Sequence, residues 1–220
     1  MTTTLEAPTT VADLQARLGH IPASRIRLRP APGTATEADC LHVGETDRLC
    51  ELVDDTLVEK AMGTLEGFFG MMIASKLHAF VEPRRLGMFN GEGGFFRLAS
   101  GNIRLPDVSF TRRDRLTGTT PISDWCPDLC VEVLSAGNTR AEMRRKRAEY
   151  FASGCKLLWI FDRRSRTCEV FANEFECVEV GENGTLDGGT VLPGFALPMA
   201  ELFAEFDDYF PNADRDEILN

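Results

Sequence analysis

The stretch that decides the fold reads DLCVEVL (128–134), NTRAEMRRKRAEYFAS (138–153) and GCKLLWIFD (154–162). Its first and last pieces are short, nearly continuous apolar runs, which predicts strands covered on both faces. Between them, Asn138 or Thr139 can cap a helix that runs to about Ser153 and ends at Gly154. Strand, helix and strand at this spacing make a βαβ unit, with a right-handed crossover and two parallel strands. The expected class is therefore α/β.

Upstream, Ile103–Thr111 (IRLPDVSFT) alternates as one strand with Leu105, Asp107 and Ser109 on one face, and Pro106 marks its start or a sheet edge. Before it, Leu65, Phe68, Phe69, Met72, Ile73, Leu77, Phe80 and Val81 recur at helical spacing, which predicts a helix over Thr64–Glu82 stopped by Pro83. The loop NGEGG (90–94) then opens the β region. Thr46–Val58 fits a short helix or a strand entering a turn at Asp54–Asp55, and Arg29–Glu37 is a Pro/Gly/Thr-rich loop. Downstream, strands are expected at Thr167–Ala172 and Phe175–Val180, and Val191–Phe203 as a turn plus a short helix. The Thr/Ala-rich first 20 residues read as a loose lead-in. In outline, 1–40 form an N-terminal extension, partly loop, 41–205 the principal domain, and 206–220 an acidic tail.

The chain has 220 residues and a net charge of −10, unevenly spread. From Glu169 onward there are 13 acids against the single base Arg215, so 1–168 carry 23 bases and 21 acids, a balance of +2. That argues against avid non-specific binding to nucleic acid, while leaving a DNA-facing surface open to the core. No apolar run approaches the ~18 residues of a membrane span. The N-terminus lacks both a basic start and an apolar segment, so a cytoplasmic protein is expected. The seven cysteines read as small buried hydrophobes; Cys126 and Cys130 are the one close pair, with no second pair or nearby histidine to complete a zinc set.

Glu132 stands in the middle of LCVEVL (129–134), where burying an ionised carboxylate is costly unless something pairs with it. It is either a strand-end acid bridged to a base or a ligand for a hard divalent cation. Asp107 is a second acid inside an apolar stretch, on an adjoining β element. Alone, it reads as a turn or strand-start residue beside Pro106. Lys146 borders the inward stripe of the helix, through Met143, Arg147/Tyr150 and Phe151; it is either a snorkelling lysine or a cation near Glu132.

The pieces LPDVSF, CPDLCVEVLS, the Lys146–Tyr150 K-x-x-x-Y spacing and SGCKLLWIFD resemble the bacterial Uma-type putative restriction endonucleases of the PD-(D/E)XK nuclease superfamily. The resemblance covers roughly Leu49–Phe203. It implies a restriction-endonuclease-like mixed β-sheet flanked by α-helices and a metal-dependent DNA endonuclease that uses Mg²⁺, with Mn²⁺ as a substitute. By the same resemblance Asp107 and Glu132 are the metal-holding acids, Lys146 is the catalytic lysine and Glu66 is an additional acid. The superfamily's lysine slot, two residues after Glu132, holds Leu134, and the family places the lysine on the following helix, where Lys146 stands. Ala136–Gly137 replace the usual Pro-Ser. The resemblance further implies weak or transient DNA binding, with a homodimer suited to duplex cleavage. Arg140, Arg144, Arg145 and Arg147, and a second patch at Arg112, Arg113 and Arg115, are candidate phosphate contacts. The alternative is a catalytically degenerate nuclease fold acting as a DNA-binding or regulatory accessory; a metal-dependent enzyme on another phosphoester has little positive support, since no Walker loop, G-x-S-x-G or H-E-x-x-H occurs.

Overall fold

The computed structural model describes residues 10–46, 48–61, 63–118, 120–211 and 213, so parts of the expected extension (1–9) and tail (214–220) lie outside the described residues. In chain order the elements are α1 (Val11–Arg17), α2 (Glu37–Thr46), β1 (Cys50–Val53), β2 (Thr56–Glu59), α3 (Thr64–Arg84), β3 (Gly87–Asn90), β4 (Phe96–Arg97), β5 (Ile103–Arg104) and β6 (Val108–Arg112). There follow β7 (Leu129–Val133), α4 (Arg140–Ala152), β8 (Leu157–Asp162), β9 (Thr167–Phe171), β10 (Cys177–Gly181), β11 (Thr185–Asp187), β12 (Ala196–Pro198) and α5 (Met199–Tyr209).

The main sheet runs β10-β9-β8-β7-β6-β3. β7 and β8 pair in parallel through Leu129↔Leu157 to Val133↔Phe161, as the βαβ reading requires, and the other neighbours are antiparallel. A second sheet runs β2-β1-β5-β4, and β11 pairs with β12. The mixed sheets flanked by helices are the expected restriction-endonuclease-like α/β architecture.

Alternation along β7 sorts its side chains between two layers. Val131 and Val133 join the core under α3 and α5, where the Phe69 ring stacks on Phe203 at 5.2 Å and meets Phe161 edge-on at 5.7 Å. Cys130 joins the opposite layer, with Met143 and Tyr150 of α4 and Leu158 and Ile160 of β8. The α4 start is fixed by Thr139, whose hydroxyl accepts from the Glu142 N–H while the Glu142 carboxylate accepts from the Thr139 N–H. This reciprocal cap satisfies donors that the first helical turn leaves open. Gly154 follows the helix at φ +96°, a conformation that favours glycine.

Several expectations change. The single strand expected over Ile103–Thr111 is two strands in different sheets: the chain leaves the small sheet at Arg104 and enters the large one at Val108. Pro106 at the crossing cannot donate to a ladder, which suits a break better than a strand interior. Helix α3 continues to Arg84 and carries Pro83 in its last turn. Of Thr46–Val58, Thr46 closes α2 and Cys50–Val58 lies in the β1–β2 hairpin, which turns at Asp54–Asp55, both at positive φ. The lead-in contains α1, started by a capping box between Thr10 and Asp13. Ahead of α5, β11 and β12 are a strand pair where only a turn plus a short helix was expected over Val191–Phe203.

Candidate active site

Register places the two acids. β6 and β7 pair through Val108↔Val131, Ser109↔Cys130 and Phe110↔Leu129, so Asp107, one residue before the first pair, sits beside the C-terminal end of β7. Its Oδ2 accepts a 2.6 Å hydrogen bond from the Val133 N–H. Its Oδ1 lies 2.7 Å from Nζ of Lys60, the residue after β2, and that ammonium is also 3.4 Å from Glu92 Oε1.

Glu132 points to the α4 side. Lys146 and Tyr150, one turn apart on α4, both reach it: Lys146 Nζ is 3.0 Å from Oε2, and the Tyr150 hydroxyl donates to Oε1 at 2.6 Å. Lys146 is also 2.9 Å from Glu51 Oε1, and Glu51 Oε2 is 2.8 Å from Arg104 Nη1. Arg104 continues to Glu149 at 2.7 Å. Buried charges survive only when paired in this way, and this chain alternates sign along its length. Burial pushes the Glu132 carboxyl up, reinforced by Asp107 and Glu51 and opposed by Lys146, and the outcome lies above the usual carboxylate range. Burial acts against the Lys146 ammonium, yet Glu132 and Glu51 hold its pKa above the usual lysine value.

Glu66, in the first turn of α3, opens onto a crevice of about 60 Å³ whose walls include Glu92, Asp107 and Val133. It lies 3.4 Å from Arg163 Nη2. Its carboxylate folds back over Gly63, where a Cβ would collide with it. The structure thus brings Asp107, Glu66 and Glu92 to one crevice, and joins Glu132 and Lys146 in a sealed network immediately behind it. Neither Glu132 nor Lys146 lines the crevice.

Oxygen donors of this type suit a hard divalent cation, and three carboxylates around a small cavity fit one in chemistry. Among the described residues, however, no group of three or more His, Cys, Asp or Glu side chains is arranged to ligate an ion. The acids are turned instead to the protein's own cations: Asp107 to Lys60, Glu66 to Arg163, Glu132 to Lys146.

Glu51, Lys60 and Arg104 were not legible as site residues. Glu51 in CELV (50–53) carries the signal that exposed Glu132, an acid inside an apolar strand; Lys60 carries none, standing just past the end of a strand. The arginine patches divide. Arg145 is committed to Asp54 and Glu149, Arg112 to Asp114, and Arg115 to Asp128. Arg140, Arg144 and Arg147, the last over the Phe171 ring at 4.5 Å, line a groove of about 550 Å³ at the carboxyl ends of β7 and β8, together with Arg164 from outside either patch and with Asp162 and Glu169.

A family profile described as "Putative restriction endonuclease" matches residues 37–200. Among solved structures, a "putative nuclease belonging to DUF820" from Anabaena variabilis superposes with a TM-score of 0.69 at 17% identity, covering 77% of this chain and 97% of the other. At that identity the match speaks for the fold. Comparison with curated proteins gives no match. No helix of the described residues is long and apolar enough to cross a membrane.

Proposed function

Because the chain belongs to the Uma2 family of putative restriction endonucleases, we propose that it is a divalent-metal-dependent endonuclease that hydrolyses DNA phosphodiester bonds. The observation that carries the reading is Asp107, tethered to the β7 backbone beside Glu132 and open to a crevice it shares with Glu66 and Glu92. Asp107, with Glu66 and Glu92 across the crevice, would hold Mg²⁺, or Mn²⁺ in its place, and Glu132 would join them on turning from Lys146 and Tyr150. When bound, such an ion lowers the pKa of its water and polarises a phosphate oxygen. Lys146 pairs with the Glu132 carboxylate and, through its charge, favours the negative charge that builds on the phosphoryl oxygens and the leaving oxygen. The Val133 N–H aims the Asp107 carboxylate. Arg140, Arg144, Arg147 and Arg164 offer phosphate contacts along the α4 groove, which position a strand without reading its sequence. Cutting a duplex needs one such centre per strand, which a homodimer supplies.

The test is Mg²⁺- and Mn²⁺-dependent nicking of supercoiled plasmid. Asp107→Asn and Glu132→Gln should each lower the rate on the order of 100-fold or more. Undiminished nicking by both variants would sink the proposal. A second reading, a fold that binds DNA without cutting it, is favoured by one observation: both Glu132 oxygens are occupied, by Lys146 and Tyr150. It predicts DNA binding by the wild type with no cleavage under either metal.

A further inference from the structure

Lys60 belongs to none of the motifs that point to the site, yet it makes the shortest ionic contact at Asp107, 2.7 Å from Nζ to Oδ1. Its side chain is only 3% exposed, while that of Asp107 is 16% exposed. The second Asp107 oxygen is held by the Val133 N–H. A cation entering the crevice therefore finds Asp107 already neutralised by an ammonium. Lys146 cannot play this part, since Glu51 and Glu132 clasp it from two sides behind the crevice. Lys60 differs in having a second acceptor at the crevice itself, Glu92 at 3.4 Å.

We propose that Lys60 is a positioning residue that occupies the cation place of Asp107 and competes directly with a divalent ion for that carboxylate. A divalent ion and an ammonium in contact with the same carboxylate oxygen repel each other, so uptake of the ion at Asp107 Oδ1 disfavours the Lys60–Asp107 contact. On exchange the ammonium stays at the crevice beside Glu92, with a substrate phosphate as its natural counter-charge. The inference rests on the metal-dependent reading above for the identity of the incoming ion, and not on cleavage itself.

The experiment is titration of the full chain with Mn²⁺, read by the electron paramagnetic resonance of free ion, for wild type, Lys60→Met and Lys60→Arg. A competing ammonium predicts that Lys60→Met binds Mn²⁺ about ten-fold tighter or more, and that Lys60→Arg stays near wild type. A merely structural lysine predicts the opposite sign, since loosening the site weakens binding. Equal or weaker Mn²⁺ binding by a folded Lys60→Met protein overturns the proposal. Should that variant not fold, Mg²⁺ titration of wild type labelled with ¹³Cε-lysine decides: the Lys60 signal, assigned by its loss in Lys60→Arg, must shift as the site fills. A stationary signal overturns the proposal equally. Nicking by wild type with unchanged Lys60→Met affinity removes Lys60 and leaves the nuclease standing; tightened Mn²⁺ binding without nicking does the reverse.

Discussion

Asp107 keeps 16% of its side chain exposed at the mouth of a crevice, whereas Glu132, on the neighbouring strand, keeps 5% and is held by Lys146 and Tyr150. Both acids are paired with a lysine, but the pairs differ in what lies beyond them. Behind Lys146 the chain of charges continues through Glu51, Arg104 and Glu149, so moving it disturbs four other ionised groups. Behind Lys60 there is Glu92 and the crevice. The contrast teaches that two lysine-paired carboxylates on adjoining segments can differ in kind, one open to a crevice and one built into the buried frame behind it.

The largest effect that tests this contrast is on stability. Lys146→Met leaves Glu51 and Glu132 buried without their shared cation and should cost about 3–5 kcal/mol in urea unfolding. A loss under about 1 kcal/mol, the range of an exposed pair, would erase the distinction between the two acids. Tyr150→Phe comes next: it removes one donor from a buried carboxylate, for an expected cost of about 1–3 kcal/mol in thermal unfolding. An unchanged melting temperature would show that Glu132 finds another partner.

The third effect is a slope. Burial alone would raise the Glu51 carboxyl, but Lys146 and Arg104 hold it below its ordinary value of 4.5. A depressed carboxyl stabilises the fold at pH values above that ordinary value and loses the contribution as pH falls, because the unfolded chain takes up the proton more readily. Glu132, whose carboxyl is raised, carries the opposite sign. Glu51→Gln should therefore lower stability at neutral pH and flatten its decline between about pH 5 and pH 3. An acid limb parallel to that of wild type would remove Glu51 as its source.

The βαβ unit was legible because period and punctuation agreed: apolar runs at both strands, a cap at Thr139 and a glycine after the helix. Asp107 and Glu132 stood out because acids inside apolar runs need a partner, and the partners are now visible. The break at Leu105–Asp107 was hidden because alternation continues across it, so the pattern reads as one strand although the chain changes sheet. Lys60 was hidden for a different reason. A lysine at the end of a strand reads as solvated, and only the approach of a distant loop and strand encloses it. Glu51 was within reach of the argument used for Glu132, but an unassigned element offered no strand on which to place it.

The parallel pairing of β7 and β8 has a consequence for the order in which the molecule assembles. β7, α4 and β8 come from one continuous span, Leu129–Asp162, so Glu132, Lys146 and Tyr150 can meet by a local closure. Asp107, Lys60 and Glu51 come from segments that precede this span, and contacts of large sequence separation form late because their loops are entropically costly to close. A partly folded chain would thus hold the Lys146–Glu132 pair before the Lys60–Asp107 pair had closed. The crevice around Asp107 is thus completed only after the frame of β7, α4 and β8 on which it rests.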